Sequence, residues 1–403
     1  MNPSSSPCIV LTYGWGLNTP GGVARHIQEL ARALGDAGAR VICVCISAAD
    51  YSGFPRPRMN PQYEGLQLEK ELAEHNVEVV RVAPHRLHWT LDGRPMKRAV
   101  ERILDTEHVD CVLGFYNEAA YLPELCRQRS ISFGYIATWL SYRMALSPAR
   151  TGRGLRGLIM RRANRRFVIE PYREAQVLFA NSEFTRSELV DVVGCNPDRI
   201  RVTYLGVKPF FRNIPRIEPK RIQRIVFFGR LVREKGIGDA ITALGAIAAK
   251  GHRDWRLRIL GSGNHDHVRR LADEQGIEPL IEMVPHQGDA GLADELAKAH
   301  LALLPSHSES FGLSIAEAQA AGLPVIAYDA GSVPEVVEDG RTAWLVPLHD
   351  TDALHRAIEE AMADPHAAHQ RGIAGRERAQ RLFQWSFTAE RVLEGIRALR
   401  RAA

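Results

Sequence analysis

The sequence predicts an α/β protein built from two doubly wound, parallel-sheet domains, and three observations carry that prediction. Short apolar runs closed by glycine loops alternate with helical periodicity in both halves of the chain, as repeated strand, helix, strand units require. A length of 403 residues carries a prior of about two to three domains. Between the two series, Lys208 to Arg221 holds Pro209, Pro215 and Pro219 without periodicity, which is the composition of a linker.

Composition narrows the class. With 45% hydrophobic and 25% charged residues the chain is an ordinary globular one, long enough for a large core. The six cysteines include no Cys-x-x-Cys pair and fall mostly in apolar runs, so neither a disulfide framework nor a zinc site is expected; they read as reduced thiols. No apolar run approaches the roughly 18 residues of a spanning helix, and Met1 to Pro7 lacks the basic flank of a signal peptide, which predicts a cytoplasmic protein. A net charge of +5 suits an anionic ligand or membrane surface but is too diffuse for nucleic acid.

In chain order, Cys8 to Tyr13 reads as a first strand. The loop Gly14 to Gly22 follows, then a helix with Val23, Ile27, Leu30, Ala31 and Leu34 on one face, ended by Gly38, and a strand at Val41 to Ile46. Its glycines do not fit the dinucleotide fingerprint, and taken alone such a loop is most often a tight turn. Ser47 to Gly65 and Pro84 to Pro95 read as loops, either ligand contacts or surface insertions; His85 and His88 in the second lack metal-ligand spacing. Strands at Cys111 to Phe115 and Phe133 to Thr138 lead into Tyr116-Asn117-Glu118 and Trp139, where an open parallel sheet presents its ligand crevice.

Arg150 to Arg173 holds eight arginines and a single acidic residue, Glu170, interleaved with Leu155, Leu158, Ile159 and Met160. That pattern fits a basic amphipathic helix on an anionic membrane, but the short apolar stripe favours a solvated arginine face. Strands at Val177 to Ala180 and Arg201 to Tyr204 close the first domain, predicted as 1–208. The second, 209–385, restarts at Ile225 to Phe228 with Gly229-Arg230-Leu231 and Glu234-Lys235-Gly236. Trp255 to Ile259 alternates as a strand before Gly261 and Gly263, which leave room for a nucleotide. His265-Asp266-His267 opens a helix and lacks a distant third ligand, so no metal is expected there. Ile281 to Val284 leads to Pro285-His286-Gln287-Gly288, and a last helix occupies about 386–403.

The most informative stretch runs from His307 to Val346. After an apolar strand, Leu301 to Leu304, a loop bearing Glu309 leads into a helix begun near Phe311 to Ser314, bearing Glu317 and stopped by Gly322 and Pro324. The amides of Phe311, Gly312 and Leu313 at the positive helix end suit a phosphate, and the two glutamates suit sugar hydroxyls. The same spacing also fits two solvated glutamates on an ordinary helix start.

Glu309, seven intervening residues and Glu317, within Ser-Glu-Ser-Phe-Gly-Leu-Ser-Ile-Ala-Glu-Ala-Gln-Ala-Ala-Gly-Leu-Pro-Val, resembles the signature of the retaining glycosyltransferases of the large family four, and the likeness extends to Gly331, Pro334, Glu335 and Asp339-Gly340. The resemblance implies the GT-B fold: two Rossmann-like domains facing a central cleft, with the last helix returning to the first. It implies a nucleotide diphosphate sugar donor, a hydroxyl acceptor and no cofactor or metal. By residue, it gives Glu309 the donor sugar, Glu317 the ribose, Arg230, Lys235 and the Phe311 to Leu313 amides the diphosphate, and Gly21 and Gly22 a place near the diphosphate and acceptor. Gly261, Gly263 and His286 would frame the nucleotide. Many members carry a histidine beside the reacting sugar; this chain offers Asn117, Glu118 and Trp139 instead, which puts the acceptor side in doubt. A nucleotide-sugar epimerase and a non-catalytic nucleotide-sugar-binding protein stay open as alternatives. Donor, acceptor and oligomeric state are not readable.

Overall fold

The structure, a computed structural model, describes residues 6–19, 22–47, 49–50, 58–59, 66–85, 89–137, 139–146, 154–285 and 288–402. The chain forms two compact units, Met1–Leu205 with Trp385–Ala403, and Gly206–Gln384.

The first unit is built on seven parallel strands: β1 (Cys8–Tyr13), β2 (Arg40–Ile46), β3 (Val77–Val82), β4 (Cys111–Gly114), β5 (Ser132–Ala137), β6 (Val177–Ala180) and β7 (Ile200–Val202). Their order is β3-β2-β1-β4-β5-β6-β7. β1 is buried along its whole length and pairs in register with β2, Ile9 beside Val41 and Leu11 beside Cys43. A run without polar alternation is what a strand covered on both faces needs. Helix α1 (Gly22–Asp36), beside β2, buries Ala24, Ile27, Leu30, Ala31 and Leu34, one stripe at helical spacing. All six cysteines are buried and unpaired.

The C-terminal helix, Trp385–Ala402, belongs to this unit. Thr388 donates to the Tyr204 carbonyl at 2.6 Å, and Arg391 to that of Val202 at 2.9 Å. Gly395 lies so close to the sheet that a Cβ there would stand 2.8 Å from the Phe179 ring. His26 on α1 is buried between the rings of Phe115 and Trp385, at 5.0 and 5.7 Å. Burial holds it neutral, with its pKa lowered to about 3.

Helix α2 (Trp139–Leu146) follows β5, and the arginine-rich segment beyond it is not one regular helix. α3 (Gly154–Asn164) passes into a π-turn at Arg165–Ile169 and then a helical turn at Glu170–Glu174. Of the stretch read as a loop from Ser47 to Gly65, the described part includes a two-residue antiparallel ribbon, Ala49–Asp50 with Arg58–Met59. In the other, Gly93 to Pro95 instead opens the helix Gly93–Thr106, beside Asp92, which accepts the His85 amide at 2.6 Å.

The second unit has six parallel strands: β8 (Arg224–Phe228), β9 (Arg256–Leu260), β10 (Ile281–Val284), β11 (Leu301–Leu303), β12 (Val325–Asp329) and β13 (Ala343–Pro347), ordered β10-β9-β8-β11-β12-β13. The helices that matter here are α4 (Ile237–Ala249), α5 (His265–Glu274), α6 (Leu313–Ala320), α7 (Thr351–Ala363) and α8 (Pro365–Leu382). Lys208 to Arg221, read from composition as a linker, is partly packed onto this unit. Phe211 is fully buried, Arg212 donates to the Val207 and Phe383 carbonyls, and Arg216 to those of Leu296 and Ala299. The prolines make a turn and a strap, because two arginines supply the carbonyl partners that a free tether would leave to water. Among the described residues no helix is long and apolar enough to cross a membrane.

Candidate functional site

In each sheet the strand order reverses once, between β1 and β4 and between β8 and β11. Open α/β sheets bind ligands beyond the carboxyl ends of the strands at such a switch point. The second unit places there the loop after β8, with Arg230 and Lys235, and the loop after β11, with Glu309.

Those two loops are locked together by backbone. The His307 amide donates to the Glu234 carbonyl at 2.8 Å. Gly236, at φ +70°, passes so close to Pro305 that a Cβ would stand 1.8 Å from its carbonyl oxygen. From the other side, the Ser332 amide and hydroxyl both donate to the Glu309 carbonyl, at 3.1 and 3.2 Å. Gly331, at φ +61°, could carry no Cβ, since it would meet that oxygen at 2.2 Å. The Glu309 backbone is thereby fixed, and its side chain, 8% exposed, accepts a 2.5 Å hydrogen bond from Lys235 Nζ. A carboxylate so far removed from water needs that cation. Lys235, which the sequence places on a diphosphate, is thus already paired with Glu309. Arg230 is exposed, and among the described residues no carboxylate pairs with it.

Helix α6 begins at Leu313 behind Gly312, whose φ of +88° makes it the left-handed cap. The four amides at the helix start are therefore Gly312 to Ile315. Gly312 and Leu313 stand where the sequence put them, while Phe311 precedes the helix and is almost fully buried, its ring 5.3 Å from that of Phe383. Glu317 lies one turn further along the Leu313 face of α6 and is buried. Gly261 and Gly263 have a reason beyond ligand approach. A Cβ on Gly261 would stand 1.9 Å from the Gly229 carbonyl oxygen, and one on Gly263 2.7 Å from Leu231, so both glycines let this loop pack on the Arg230 loop. His265 opens α5, and Asn264 caps that helix at His267. His286 lies outside the described residues, as does Gly21.

The first unit places Gly14 after β1 and Glu118 after β4. Glu118 is 2% exposed; its Oε1 accepts the amides of Tyr116 at 2.9 Å and Phe115 at 3.4 Å. Its Oε2 is buried without a hydrogen-bond partner among the described residues and points at Gly14, where a Cβ would stand 2.7 Å from it. Burial pushes the Glu118 carboxyl up to about 7, against the pull of the amides. Asn117 begins the 3-10 turn that carries Glu118 and is half-buried, Trp139 starts α2, and Gly22 starts α1 with open space where its Cβ would go. The sequence singled out Glu118, but its burial and orphaned oxygen follow from the β1 and β4 loops meeting, which no local pattern encodes.

Sequence reading missed a cluster beside the second switch point. Asp239, His307 and His349, on three separate segments, bring one ligand atom each within 4.8 Å of one another. No local signal announces it, because the three residues span more than a hundred positions.

Comparison with known proteins bears on both units. The family model described as "Glycosyltransferase Family 4" matches residues 20–209, and the one described as "Glycosyl transferases group 1" matches residues 208–378. A D-inositol 3-phosphate glycosyltransferase of Nocardioides sp. is 32% identical over 254 residues, covering 56% of this chain and 54% of that protein. The chain thus spans about half the length of such relatives in the match; a second, from Gordonia bronchialis, gives 52%. A glycogen synthase of Mycobacterium tuberculosis is 28% identical over 383 residues, 92% of this chain and 89% of that one. Among solved structures, sucrose-phosphate synthase from Thermosynechococcus elongatus superposes with a TM-score of 0.76 at 22% identity, covering 98% of this chain and 100% of that one. The Anabaena HepE protein, solved with UDP and glucose, gives 0.73 at 16% identity, covering 97% and 100%. These likenesses show the GT-B fold.

Proposed function

The chain belongs to glycosyltransferase family four, its two modules together spanning residues 20–378, and from that premise we propose that it transfers a sugar from a nucleotide diphosphate sugar to a hydroxyl acceptor, with retention at the anomeric carbon. The observation that carries the reading is the fixed Glu309 carboxylate held against Lys235 at the second switch point, with Arg230 and the start of α6 alongside.

Each part then has a role. Glu309 accepts hydrogen bonds from the donor sugar's hydroxyls, and Glu317 from the ribose. The leaving diphosphate takes on charge as the glycosidic bond breaks, and Arg230, Lys235 and the Gly312 to Ile315 amides lie where that charge develops. Fixed cations and amides at that point do the work that a divalent ion does elsewhere, so transfer is proposed to be metal-independent. In the first unit, Glu118 takes the place of the histidine common in the family. A carboxyl whose pKa is about 7 exchanges a proton with an acceptor hydroxyl near neutral pH, and Asn117 and Trp139 are the proposed neighbours of that acceptor.

Contact with an anionic lipid surface belongs to the same proposal. Leu158 and Ile159 on α3 are exposed, on the segment that carries Arg161, Arg162, Arg165 and Arg166. Co-sedimentation with anionic but not neutral vesicles is expected, and Leu158→Ser with Ile159→Ser weakens it.

The test is product analysis by NMR over a panel of nucleotide sugars, with and without hydroxyl acceptors. Transfer that keeps the donor's anomeric configuration supports the reading. Donor altered without acceptor points to an epimerase, and tight binding without turnover to a binding protein.

A further inference from the structure

We propose that Asp239, His307 and His349 form a binding site for one borderline divalent cation of the zinc, cobalt and nickel class, which staples the Glu309 loop to α4 and to the turn before α7. The inference is independent of the donor reading, because none of the three residues is assigned to the sugar nucleotide.

The donor set comes first. His307 Nε2 stands 2.9 Å from Asp239 Oδ2, and one ring nitrogen of His349 completes a triad whose ligand atoms all lie within 4.8 Å of each other. Around a tetrahedral zinc with bonds of about 2.0–2.1 Å, neighbouring ligand atoms lie roughly 3.3 Å apart, so closure needs only small side-chain movements. Two imidazoles and one carboxylate select that class of ion. Magnesium and calcium prefer an all-oxygen shell.

The supporting shell is also present. The Tyr328 hydroxyl donates to Asp239 Oδ2 at 2.9 Å. Orienting a ligating carboxylate in this way is what metal sites do outside their first ligands. The His307 main chain is pinned by the hydrogen bond its amide donates to the Glu234 carbonyl. His349 is one of three described non-glycine residues with positive φ, at +66°. That backbone costs on the order of 1 kcal/mol, and here it carries an exposed imidazole whose ring centroid lies 4.4 Å from that of His307. An ordinary turn residue at this point would be glycine or asparagine.

The staple joins the first turn of α4, the loop after β11 and the turn before α7. Lys235 and Glu309 lie four and two residues from ligands, so a bound ion would stiffen the loop pair without touching the reaction.

The test uses the intact chain, cleared of metal by a chelator and titrated with cobalt(II) while its visible absorption is followed. One equivalent should bind with the bands of a low-coordinate site, and one equivalent of zinc should bleach them. His349→Gly, which suits the left-handed backbone, and Asp239→Asn, which keeps the volume, should each weaken cobalt binding by more than the about 10- to 100-fold typical of losing an outer-shell partner. Zinc should raise the Tm of the parent but not of His349→Gly, and magnesium should raise neither. The buried cysteines are poor competitors for the ion. Substoichiometric cobalt binding by the parent, or equal binding by the parent and His349→Gly, would overturn the proposal.

Discussion

The two switch points hold a glutamate each, and they treat it in opposite ways. Glu309 in the second unit is buried beside an ammonium, with an exposed guanidinium and a helix start on the neighbouring loops. Glu118 in the first unit is buried without a cation, one oxygen on two amides and the other on nothing described, so its proton is held to about pH 7. The same side chain is thus ion-paired in one unit and held as a carboxyl of raised pKa in the other. The difference comes from what the neighbouring loop supplies: Lys235 from the loop after β8 but, among the described residues, Gly14 from the loop after β1. A switch point of this order fixes where a ligand sits, while the loop residues decide its charge.

The sharpest way to break this contrast is to remove the exposed cation. Arg230→Ala should lower kcat/KM by about 100- to 1,000-fold, the scale of losing one preorganised charge-stabilising donor, with an unchanged Tm because among the described residues the Arg230 side chain makes no ion pair. Steady-state kinetics beside a melting curve checks both halves. An equal loss in Glu118→Gln with nothing in Arg230→Ala would reverse the assignment of the two units.

The next effect is in pH. Glu118 has a folded pKa of about 7, above the ordinary carboxyl value of 4.5, so its contribution to stability is complete below about pH 4.5 and fades as pH rises through 7. The full span is on the order of 3 kcal/mol at about 1.4 kcal/mol per pKa unit. His26 runs the other way: its folded pKa is lowered from 6.5 to about 3, so its contribution is present above about pH 6.5 and is lost as pH falls toward 3. Denaturant melts across pH should show a maximum between these limits, and Glu118→Gln should flatten only the alkaline side.

A smaller effect tests how the Glu309 loop is held. Gly331→Ala should cost about 1–3 kcal/mol of stability, since its Cβ would meet the Glu309 carbonyl at 2.2 Å in a left-handed backbone. It should lower activity with it. The smallest is Gly22→Ala, where the added methyl meets nothing within 4 Å; Tm should stay level or rise by an amount worth about 0.5–1 kcal/mol. If activity nevertheless falls, that glycine is there for a ligand.

Most of the architecture was legible because parallel strands covered on both faces write themselves as apolar runs, and because Gly38 and Gly322 end their helices with positive φ. The Glu309 to Gly322 unit was readable nearly residue by residue. What the sequence concealed was pairing across distance. Lys235 lies 74 residues from Glu309, and Gly261 and Gly263 serve the close packing of neighbouring loops. Pro209 to Arg221 has the composition of a tether, yet Phe211 and two arginines bind it down, a tertiary outcome that proline content does not foretell. The Asp239, His307 and His349 cluster was hidden for the same reason.

The most direct test of the contrast between the two units is calorimetric titration of a nucleoside diphosphate, or of the donor once it is known, into the parent, Arg230→Ala and Glu118→Gln. The account predicts binding that weakens strongly in Arg230→Ala and is unchanged in Glu118→Gln. Binding that survives in Arg230→Ala and disappears in Glu118→Gln would place the anion in the first unit and contradict it.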